Sequence, residues 1–392
     1  MSFYPVQHVN RAKNYYWRIA GFYFFYYAFI GMFAPYWSLY LQSIHFNAVE
    51  IGILMSVQPL MRMLAPSLWG WLADRTGKRL QVVQIAAALS AAFYLGVFMT
   101  TSFWGMLLVL GLMSFFWSAS MPLVEATTLS YLGQHAARYG RIRSWGSVGF
   151  IISVAGMGYA FDYIAISWLL WTGLICELGI LVFSRQLPHS EVIAHPADEQ
   201  PIAKILLQPS VFALFCACFL MSAAHGPYYT FFSIYLVEHG YAKSAVGGLW
   251  ALGVICEIVV FFLMPRLARR YGLTRILTAS LALAVVRFTL IGWGVDFLTL
   301  LLIAQVMHAA TFGAYHAASV GLVHQIFKGR HQSRGQALFG SLTYGAGGVL
   351  GGMFSGPIWQ HYGAGVLYSC SAFMALLGLV LMSHKKALPS EQ

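Results

Sequence analysis

Five charged side chains lie well inside long apolar stretches of the sequence: Arg62, Glu125, Glu177, Glu257 and Arg287. Each would cost about 2.5 to 3.5 kcal/mol if it faced lipid, so each must face a protein interior, pair with an opposite charge or titrate. A desolvated carboxylate can take up and release a proton, and a nearby arginine favours its charged form again. We expect a functional role for Glu125, Glu257 and Arg287. For Glu177 we favour a structural role, in which the side chain joins two packed helices. For Arg62 this structural role and a functional role are equal alternatives.

Histidine adds to this chemistry within a single apolar segment. His308 and Thr311 precede Tyr315 and His316 there, and His324 lies nearer the end of the segment. On an unbroken α-helix, His308, Thr311 and Tyr315 would share one stripe, with His316 about 80° around the axis. Two histidines on such a helix, with a buried glutamate elsewhere, favour a proton relay or a substrate donor. Simple hydrogen bonding of both rings is the alternative, and His324 is expected at the interface.

The elements that must position these side chains are membrane helices. The composition is 59% hydrophobic, 16% aromatic and 9% charged, with a mean hydropathy of +0.69, and no soluble domain of this size has such values. A bilayer of roughly 30 Å needs about 20 apolar residues per helix. Twelve such segments can be placed near residues 15–41, 50–70, 80–100, 103–130, 144–162, 167–185, 209–237, 245–265, 273–293, 297–325, 335–357 and 363–383.

The cations predict the orientation of these helices. Most of the 23 lysines and arginines fall in the termini and in the loops on one side of the predicted membrane. The positive-inside rule therefore places both termini in the cytoplasm. The net charge of +11 could suggest nucleic acid, but the cations are spread over helix ends rather than gathered on one face, so we expect no nucleic-acid partner.

Enzyme and cofactor chemistry finds little support in the sequence. All five cysteines lie in apolar segments and have no ligand spacing, which indicates packing residues rather than a disulfide framework or a metal site. Gly345-Ala346-Gly347 follows no strand and is not expected to bind a nucleotide. No Ser/His/Asp constellation fits the topology. We expect a protein that is not an enzyme and that carries no metal or cofactor.

Two halves of the sequence are related. The run Leu72-Ala73-Asp74-Arg75-Thr76-Gly77 recurs 195 positions later as Leu267-Ala268-Arg269-Arg270-Tyr271-Gly272, and the same offset pairs Arg62 with Glu257. Such an internal repeat in a membrane protein suggests a transporter. We predict one bundle over 1–185, a cytoplasmic linker over 186–208 and a second bundle over 209–392. Gly348, Gly352 and Gly356 repeat every fourth residue and should let a neighbouring helix approach closely.

The charged run from Gly70 to Arg79 identifies a family. Gly70-Trp71-Leu72-Ala73-Asp74-Arg75-Thr76-Gly77-Lys78-Arg79, expected as a turn after an apolar run that ends near Trp69, resembles the loop signature of the major facilitator superfamily. The resemblance implies an all-α membrane protein of twelve helices in two pseudo-symmetric six-helix bundles. It further implies a monomeric transporter in a bacterial inner membrane. The signature residues, which by that resemblance gate the cytoplasmic side, are Gly70, Asp74, Arg75, Gly77 and Arg79.

A closer resemblance covers both halves. The runs Tyr139–Phe150, Pro122–Ala126, His225–Tyr229, Leu249–Ile258 and His308–His316 resemble the phenylpropionate permease branch of the superfamily. That branch is also similar to lactose permease, and Glu125 and Arg143 match the glutamate and arginine that bind sugar there. Phe150 stands where an aromatic residue stacks on galactose, but it is not tryptophan. Thr311 stands where the proton-releasing glutamate would be.

These observations predict a proton-coupled symporter that imports a small aromatic or other organic acid, such as 3-phenylpropionate, by alternating access. Arg143 or Arg287 would hold the carboxylate through two parallel hydrogen bonds. The substrate site would comprise Glu125, Arg143, Phe150, Tyr228, Trp250 and Arg287, and the proton would be carried by Glu257 with His308 or His316. The open alternatives are a sugar or nucleoside symporter, a drug-exporting antiporter and a membrane sensor or lipid-handling protein without transport.

Overall fold

The computed structural model describes residues 15–188, 203–328 and 331–383, and within these ranges every regular element is helical. The first long helices are α1 (Tyr16–Ser43), α2 (Ala48–Thr76), α3 (Arg79–Tyr94), α4 (Phe103–Leu132), α5 (Tyr139–Ala160) and α6 (Trp168–Ser184). They are followed by α7 (Pro209–Glu238), α8 (Lys243–Tyr271), α9 (Leu273–Trp293), α10 (Leu298–His308), α11 (Tyr315–Ile326), α12 (Gln332–Gly340) and α13 (Gly348–Ser383).

Nine helical stretches of the described chain are long and apolar enough to cross a membrane. Helix α6 is also apolar but shorter than these. The last of the nine, Arg334–Ser383, runs over 50 residues and is interrupted at Gly363, whose φ of 78° is readily adopted only by glycine. This break falls at the first residue of the twelfth predicted segment, 363–383. The helical class and the membrane-spanning character are therefore confirmed, while the count of twelve crossings stays a prediction.

The charged turn is shorter than the sequence suggested. Helix α2 continues through Gly70 and Asp74 to Thr76, and α3 begins at Arg79, so the prediction that the turn starts at Gly70 is wrong. The chain reverses at Gly77, where φ is +66° and glycine avoids the penalty of a side chain. The charged residues of this last helical turn follow the apolar part of α2, so their side chains need not be buried in the hydrocarbon of a membrane.

Two long helical stretches of the second half of the chain contain π-helical segments. The segment Ala309–Ala314 joins α10 to α11, and Ser341–Gly347 joins α12 to α13. A π-helical turn bonds residue i to i+5, is wider than an α-helical turn and occurs frequently at functional sites. Both segments lie in the second half of the chain, and the first immediately follows His308.

The chain divides into two compact units, which are described separately. Unit 1 comprises Met1–Tyr40 and Leu64–His195, and unit 2 comprises Leu41–Met63 and Pro196–Gln392. The first part of α2 thus groups with the second unit, whereas the predicted bundle boundary assigned it to the first. The predicted linker over 186–208 lies largely outside the described residues. A single short helical turn, Ala203–Leu206, is present at its end.

Unit 1 has an aromatic core and a close contact between α1 and α5. The rings of Tyr26 and Trp117 stack with centroids 4.1 Å apart. A Cβ atom on Gly31 of α1 would lie 2.6 Å from the carbonyl oxygen of Phe150, and one on Gly149 would meet the backbone of Phe24. The two helices approach this closely because glycine presents no side chain on either surface.

Unit 2 contains a comparable contact that the sequence predicted. A Cβ atom on Gly348 would lie 3.3 Å from Pro59, and one on Gly352 would collide with Ser56 of α2. The Ser56 hydroxyl donates a hydrogen bond to the carbonyl oxygen of Gly52 at 2.7 Å. The predicted role of the glycine repeat in close helix approach is confirmed.

Candidate functional site

The guanidinium of Arg287 is the centre of a buried polar cluster in unit 2. The Arg287 side chain, carried by α9, is 0% exposed. Its Nε donates to the carbonyl oxygen of Ala304 at 3.0 Å, and its Nη1 lies 3.3 Å from His225 Nε2 and 3.4 Å from the hydroxyl of Thr311. Its Cζ lies 4.3 Å from the centre of the Tyr228 ring. A cation this deep in an apolar bundle is retained because hydrogen bonds and an aromatic face replace its hydration.

The hydrogen bonds of His225 fix its tautomer. Nδ1 lies 2.8 Å from the carbonyl oxygen of Met221, one turn earlier on α7. A carbonyl can only accept, so the hydrogen sits on Nδ1 and leaves Nε2 as the acceptor for Arg287. In the sequence, His225 is notable only as part of the run His225–Tyr229. The structure shows that it orients the arginine.

A carboxyl and an imidazole pair beside this arginine. Glu257 Oε1 of α8 lies 2.7 Å from His308 Nε2 of α10, and both side chains are nearly buried. Arg287 and His316 also interact electrostatically with Glu257. His316 Nδ1 lies 2.8 Å from the hydroxyl oxygen of Tyr344 in the second π-helical segment. The three predicted proton carriers are therefore neighbours in one cluster of unit 2.

The π-helical turn changes how the histidines are arranged. The rings of His308 and Phe312 are nearly parallel, with centroids 5.3 Å apart. The rings of Phe312 and His316 are also nearly parallel, with centroids 6.4 Å apart. Thr311 instead contacts Arg287, while the Tyr315 hydroxyl donates to the carbonyl oxygen of Cys218. The assumption of an unbroken α-helix is wrong. A wider turn advances fewer degrees per residue, so His316 lies closer to the direction of His308 than predicted.

Aromatic and amide groups enclose the same cluster. The rings of Tyr228 and Trp250 lie 4.7 Å apart, and the Trp250 indole donates to the hydroxyl oxygen of Ser233. The Tyr228 hydroxyl donates to Gln305 Oε1 at 3.0 Å. Sequence reasoning missed Gln305, which is fully buried one helical turn before His308 and carries no charge that would mark it in an apolar segment.

Unit 1 carries a second, more accessible polar cluster. Arg143 Nε of α5 lies 3.6 Å from Glu125 Oε1 of α4, and the two side chains are 33% and 36% exposed. The Tyr139 hydroxyl donates to the same glutamate oxygen at 3.0 Å. Arg143 also donates to the hydroxyl of Tyr27, whose ring centre is 4.2 Å from the guanidinium carbon. The predicted pair is thus in contact and held by tyrosines.

Other predicted residues lie outside both clusters. Phe150 is buried two turns further along α5, with its backbone against Gly31. Arg62 donates to Gln58 Oε1 on its own helix. Glu177 of α6 is 0% exposed and lies near Ser90 of α3, but neither carboxyl oxygen has a hydrogen bond of normal geometry in the described part of the chain.

The charged signature forms a small exposed group in unit 1. Asp74 and Arg79 lie 3.9 Å apart, with the aspartate side chain 69% exposed. Arg75 stacks over the ring of Trp71. The Arg79 side chain is 13% exposed, and a pair with one partner as exposed as Asp74 contributes little to stability. Their gating role stays a prediction.

The chemistry available in unit 2 is proton exchange next to a fixed cation. The pair formed by Glu257 and His308 shares a hydrogen across 2.7 Å, and Arg287 supplies a positive charge within the same cluster. Buried polar groups of this type in a membrane bundle mark substrate or proton pathways. Among the residues that the structure describes, no group of three histidine, cysteine, aspartate or glutamate side chains could hold a metal ion.

Comparison with known proteins supports this interpretation of the fold. Residues 16–370 match the family described as the MFS_1 like family. The chain is 31% identical over 383 residues to a probable 3-phenylpropionic acid transporter of Escherichia coli K12, which covers 95% of this chain and 98% of that protein. It is 24% identical over 377 residues to a maltose permease of Geobacillus stearothermophilus, covering 95% of each.

A solved structure shows the same architecture. The crystal structure of nucleoside transporter NupG superimposes with a TM-score of 0.80 at 19% identity, covering 95% of this chain and 100% of that one. At this identity the similarity establishes the fold rather than the substrate. The three relatives are named for an aromatic acid, a sugar and a nucleoside.

Proposed function

Because the chain belongs to the MFS_1 like family and is a multi-pass membrane transporter of that type, we propose that it imports a small aromatic or other organic acid together with protons. We place it in a bacterial inner membrane, with both termini in the cytoplasm and transport by alternating access. The 2.7 Å contact between Glu257 and His308 beside buried Arg287 carries the proposal.

This contact supports proton coupling for an energetic reason. A carboxyl buried within a membrane bundle is costly as an isolated charge, and it must be neutralised by a proton or by a nearby cation. Glu257 has both options, since His308 can share its proton and Arg287 can balance its charge. Glu257 is therefore the proposed carrier, assisted by His308, with His316 and Tyr344 adjoining it. The carboxylate of the substrate binds Arg143 or Arg287. Tyr228 and Trp250 would flank its apolar part beside Arg287, and Phe150 is the flanking residue proposed for binding at Arg143.

The test is uptake of radiolabelled 3-phenylpropionate into vesicles that contain the purified protein, with and without an inward proton gradient. Wild-type protein should accumulate the acid only with the gradient, and Glu257→Gln should not accumulate it. Glu50→Gln is the matched control, because Glu50 caps α2 by accepting from the backbone of Asn47 and glutamine preserves a capping box. Equal accumulation by Glu257→Gln and the control would refute the assignment of the proton.

A sugar or nucleoside symporter is the second candidate. The observation that favours it is the Glu125 and Arg143 pair, which is about one-third exposed and flanked by tyrosines. A carboxylate and a guanidinium side by side suit neutral hydroxyl groups, since one accepts and the other donates. Competition of uptake by neutral sugars or nucleosides, but not by acids, would establish this alternative over acid transport.

A further inference from the structure

Among the buried nitrogen atoms of unit 2 that have no hydrogen-bond partner in the residues that the structure describes are Arg287 Nη2, Gln305 Nε2 and His308 Nδ1. These three residues are at most 4% exposed. A desolvated polar nitrogen is normally paired, because leaving it without a partner forfeits the hydrogen bonds it made to water. Three in one neighbourhood indicate a ligand that offers acceptor atoms.

The three side chains meet around a single aromatic ring. The Arg287 guanidinium carbon lies 4.3 Å from the centre of the Tyr228 ring, and the His308 ring lies 5.4 Å from it in a stacked arrangement. The Tyr228 hydroxyl donates to Gln305 Oε1. Arg287, Gln305 and His308 therefore contact different parts of one residue, which places their unused nitrogens in a common region.

The contacts already made determine which atoms remain available. Gln305 uses its oxygen as the acceptor for Tyr228, so its amide nitrogen is left to donate. Arg287 uses Nε for Ala304 and Nη1 for His225 and Thr311, so Nη2 is left to donate. By contrast, Arg143 of unit 1 is engaged by Glu125 and Tyr27. Of these two arginines, Arg287 is the one with a buried nitrogen that has no partner among the described residues.

The third atom changes its role with one proton. When Glu257 is ionised and His308 is neutral, the shared hydrogen sits on Nε2, and Nδ1 is a lone pair that can only accept. One added proton produces either an imidazolium beside a carboxylate, or a carboxylic acid that donates to Nε2 of an imidazole bearing hydrogen on Nδ1. In both forms Nδ1 donates.

We propose that Arg287 Nη2, Gln305 Nε2 and His308 Nδ1 bind the carboxylate of the transported acid, and that the site is complete only when the Glu257–His308 pair holds the transported proton. The inference rests on the proposed function. A carboxylate oxygen accepts from all three donors once the proton is present, and it is repelled by the Nδ1 lone pair when the proton is absent. Acid and proton then bind together within unit 2.

The surroundings of the pair suit this coupling. The titratable and charged groups that face it are His225, Tyr228 and Tyr229 from α7, Cys256 from α8, Arg287 from α9 and His316 from α11, and Arg62 of α2 interacts with Tyr229. Arg287 is the permanent cation that interacts with Glu257 itself. A bound carboxylate balances that charge after the added proton has neutralised the contribution of Glu257, so the cluster keeps the same net charge when both ligands bind.

Gln305→Met tests the carboxylate site, since methionine has a similar length and no donor. Gln336→Met is the matched control, because the Gln336 amide also donates a hydrogen bond but lies outside the proposed site. Its acceptor is the carbonyl oxygen of Val320 on α11. Equilibrium binding of radiolabelled 3-phenylpropionate, acetate and benzoate to protein in lipid nanodiscs should weaken at least about tenfold in Gln305→Met and stay unchanged in the control. Binding of the neutral analogue 3-phenylpropanol should be equal in both.

Proton linkage tests the second part. Acid binding to the wild type in weakly buffered solution should take up a proton, whereas Glu257→Gln should bind the acid without proton uptake and with an affinity independent of pH, because its amide donates permanently to Nε2. Acid binding of equal strength in wild type and Gln305→Met would overturn this inference but not the proposed function. A water molecule would then be the partner of the three nitrogen atoms. Loss of acid binding in Glu257→Gln would also overturn it. Failure of the wild type to bind any of the acids would overturn acid transport as well.

Discussion

Alanine at Gly31 should force apart the two helices that hold the Arg143 cluster. The added Cβ would lie 2.6 Å from the carbonyl oxygen of Phe150 and 2.9 Å from its Cα atom. Both are backbone atoms, so no side-chain rotation can relieve the contact. An ordinary contact begins at 3.4 Å, and α1 must therefore retreat from α5 by about 0.8 Å.

The cost follows from known overpacking effects. Inserting a methyl group into a close-packed interface destabilises a protein by about 1–3 kcal/mol. Replacement of glycine by alanine in a helix contributes about 0.5–1 kcal/mol in the opposite direction. Gly156→Ala isolates the second effect, because Gly156 lies on α5 and a Cβ there would meet nothing within 4 Å. The difference between the two variants is therefore the overpacking cost, about 1–3 kcal/mol.

The assay is thermal unfolding of the detergent-solubilised protein followed with a thiol-reactive fluorescent maleimide. The buried thiols of Cys176 and Cys218 react only after the bundles open. Gly31→Ala should unfold at a lower temperature than Gly156→Ala and should also transport more slowly, because the shift moves Tyr27 away from Arg143. Unfolding of Gly31→Ala at the same temperature as Gly156→Ala, or above it, would refute the account of this helix contact.

Two further substitutions separate charges that serve transport from charges that do not. Glu177→Gln should leave uptake unchanged and should not lower the unfolding temperature, since neither carboxyl oxygen has a hydrogen bond of normal geometry in the described chain; a loss of gradient-driven uptake would instead make Glu177 part of the mechanism. Arg287→Lys should reduce uptake more than tenfold, because an ammonium group cannot reproduce the contacts to Ala304, His225 and Thr311. Uptake within twofold of wild type in vesicles of equal protein content would contradict the proposed need for the planar guanidinium.

Much of the fold could be predicted because membrane helices are specified locally. Twenty apolar residues determine a span, and the predicted segments agree with the helices except at their ends, as where α2 continues to Thr76. The sequence also named His308 and His316 as the groups that act with Glu257. The reason is again local, because a charge in an apolar segment must face the protein interior, pair with an opposite charge or titrate.

The details that sequence reasoning missed depend on helix register and on contacts distant in the chain. The π-helical turn after His308 leaves no local signature, since Ala309–Ala314 is compatible with an α-helix. Gln305 was missed because a single amide in an apolar helix carries no charge, and its importance is visible only from the contacts of Tyr228. The grouping of residues 41–63 with unit 2 likewise follows from packing rather than from sequence order.

That grouping has a consequence for biogenesis. Residues 41–63 enter the membrane early in synthesis, but their packing partners include the glycines of α13, and the hydrogen bond from Ser56 to the carbonyl oxygen of Val349 joins residues 293 positions apart. The segment lacks these packing partners until residues 348–356 of α13 have been translated and inserted. Unit 2 therefore cannot complete its folding until α13 has been inserted, and the Ser56 surface lacks this packing partner until then.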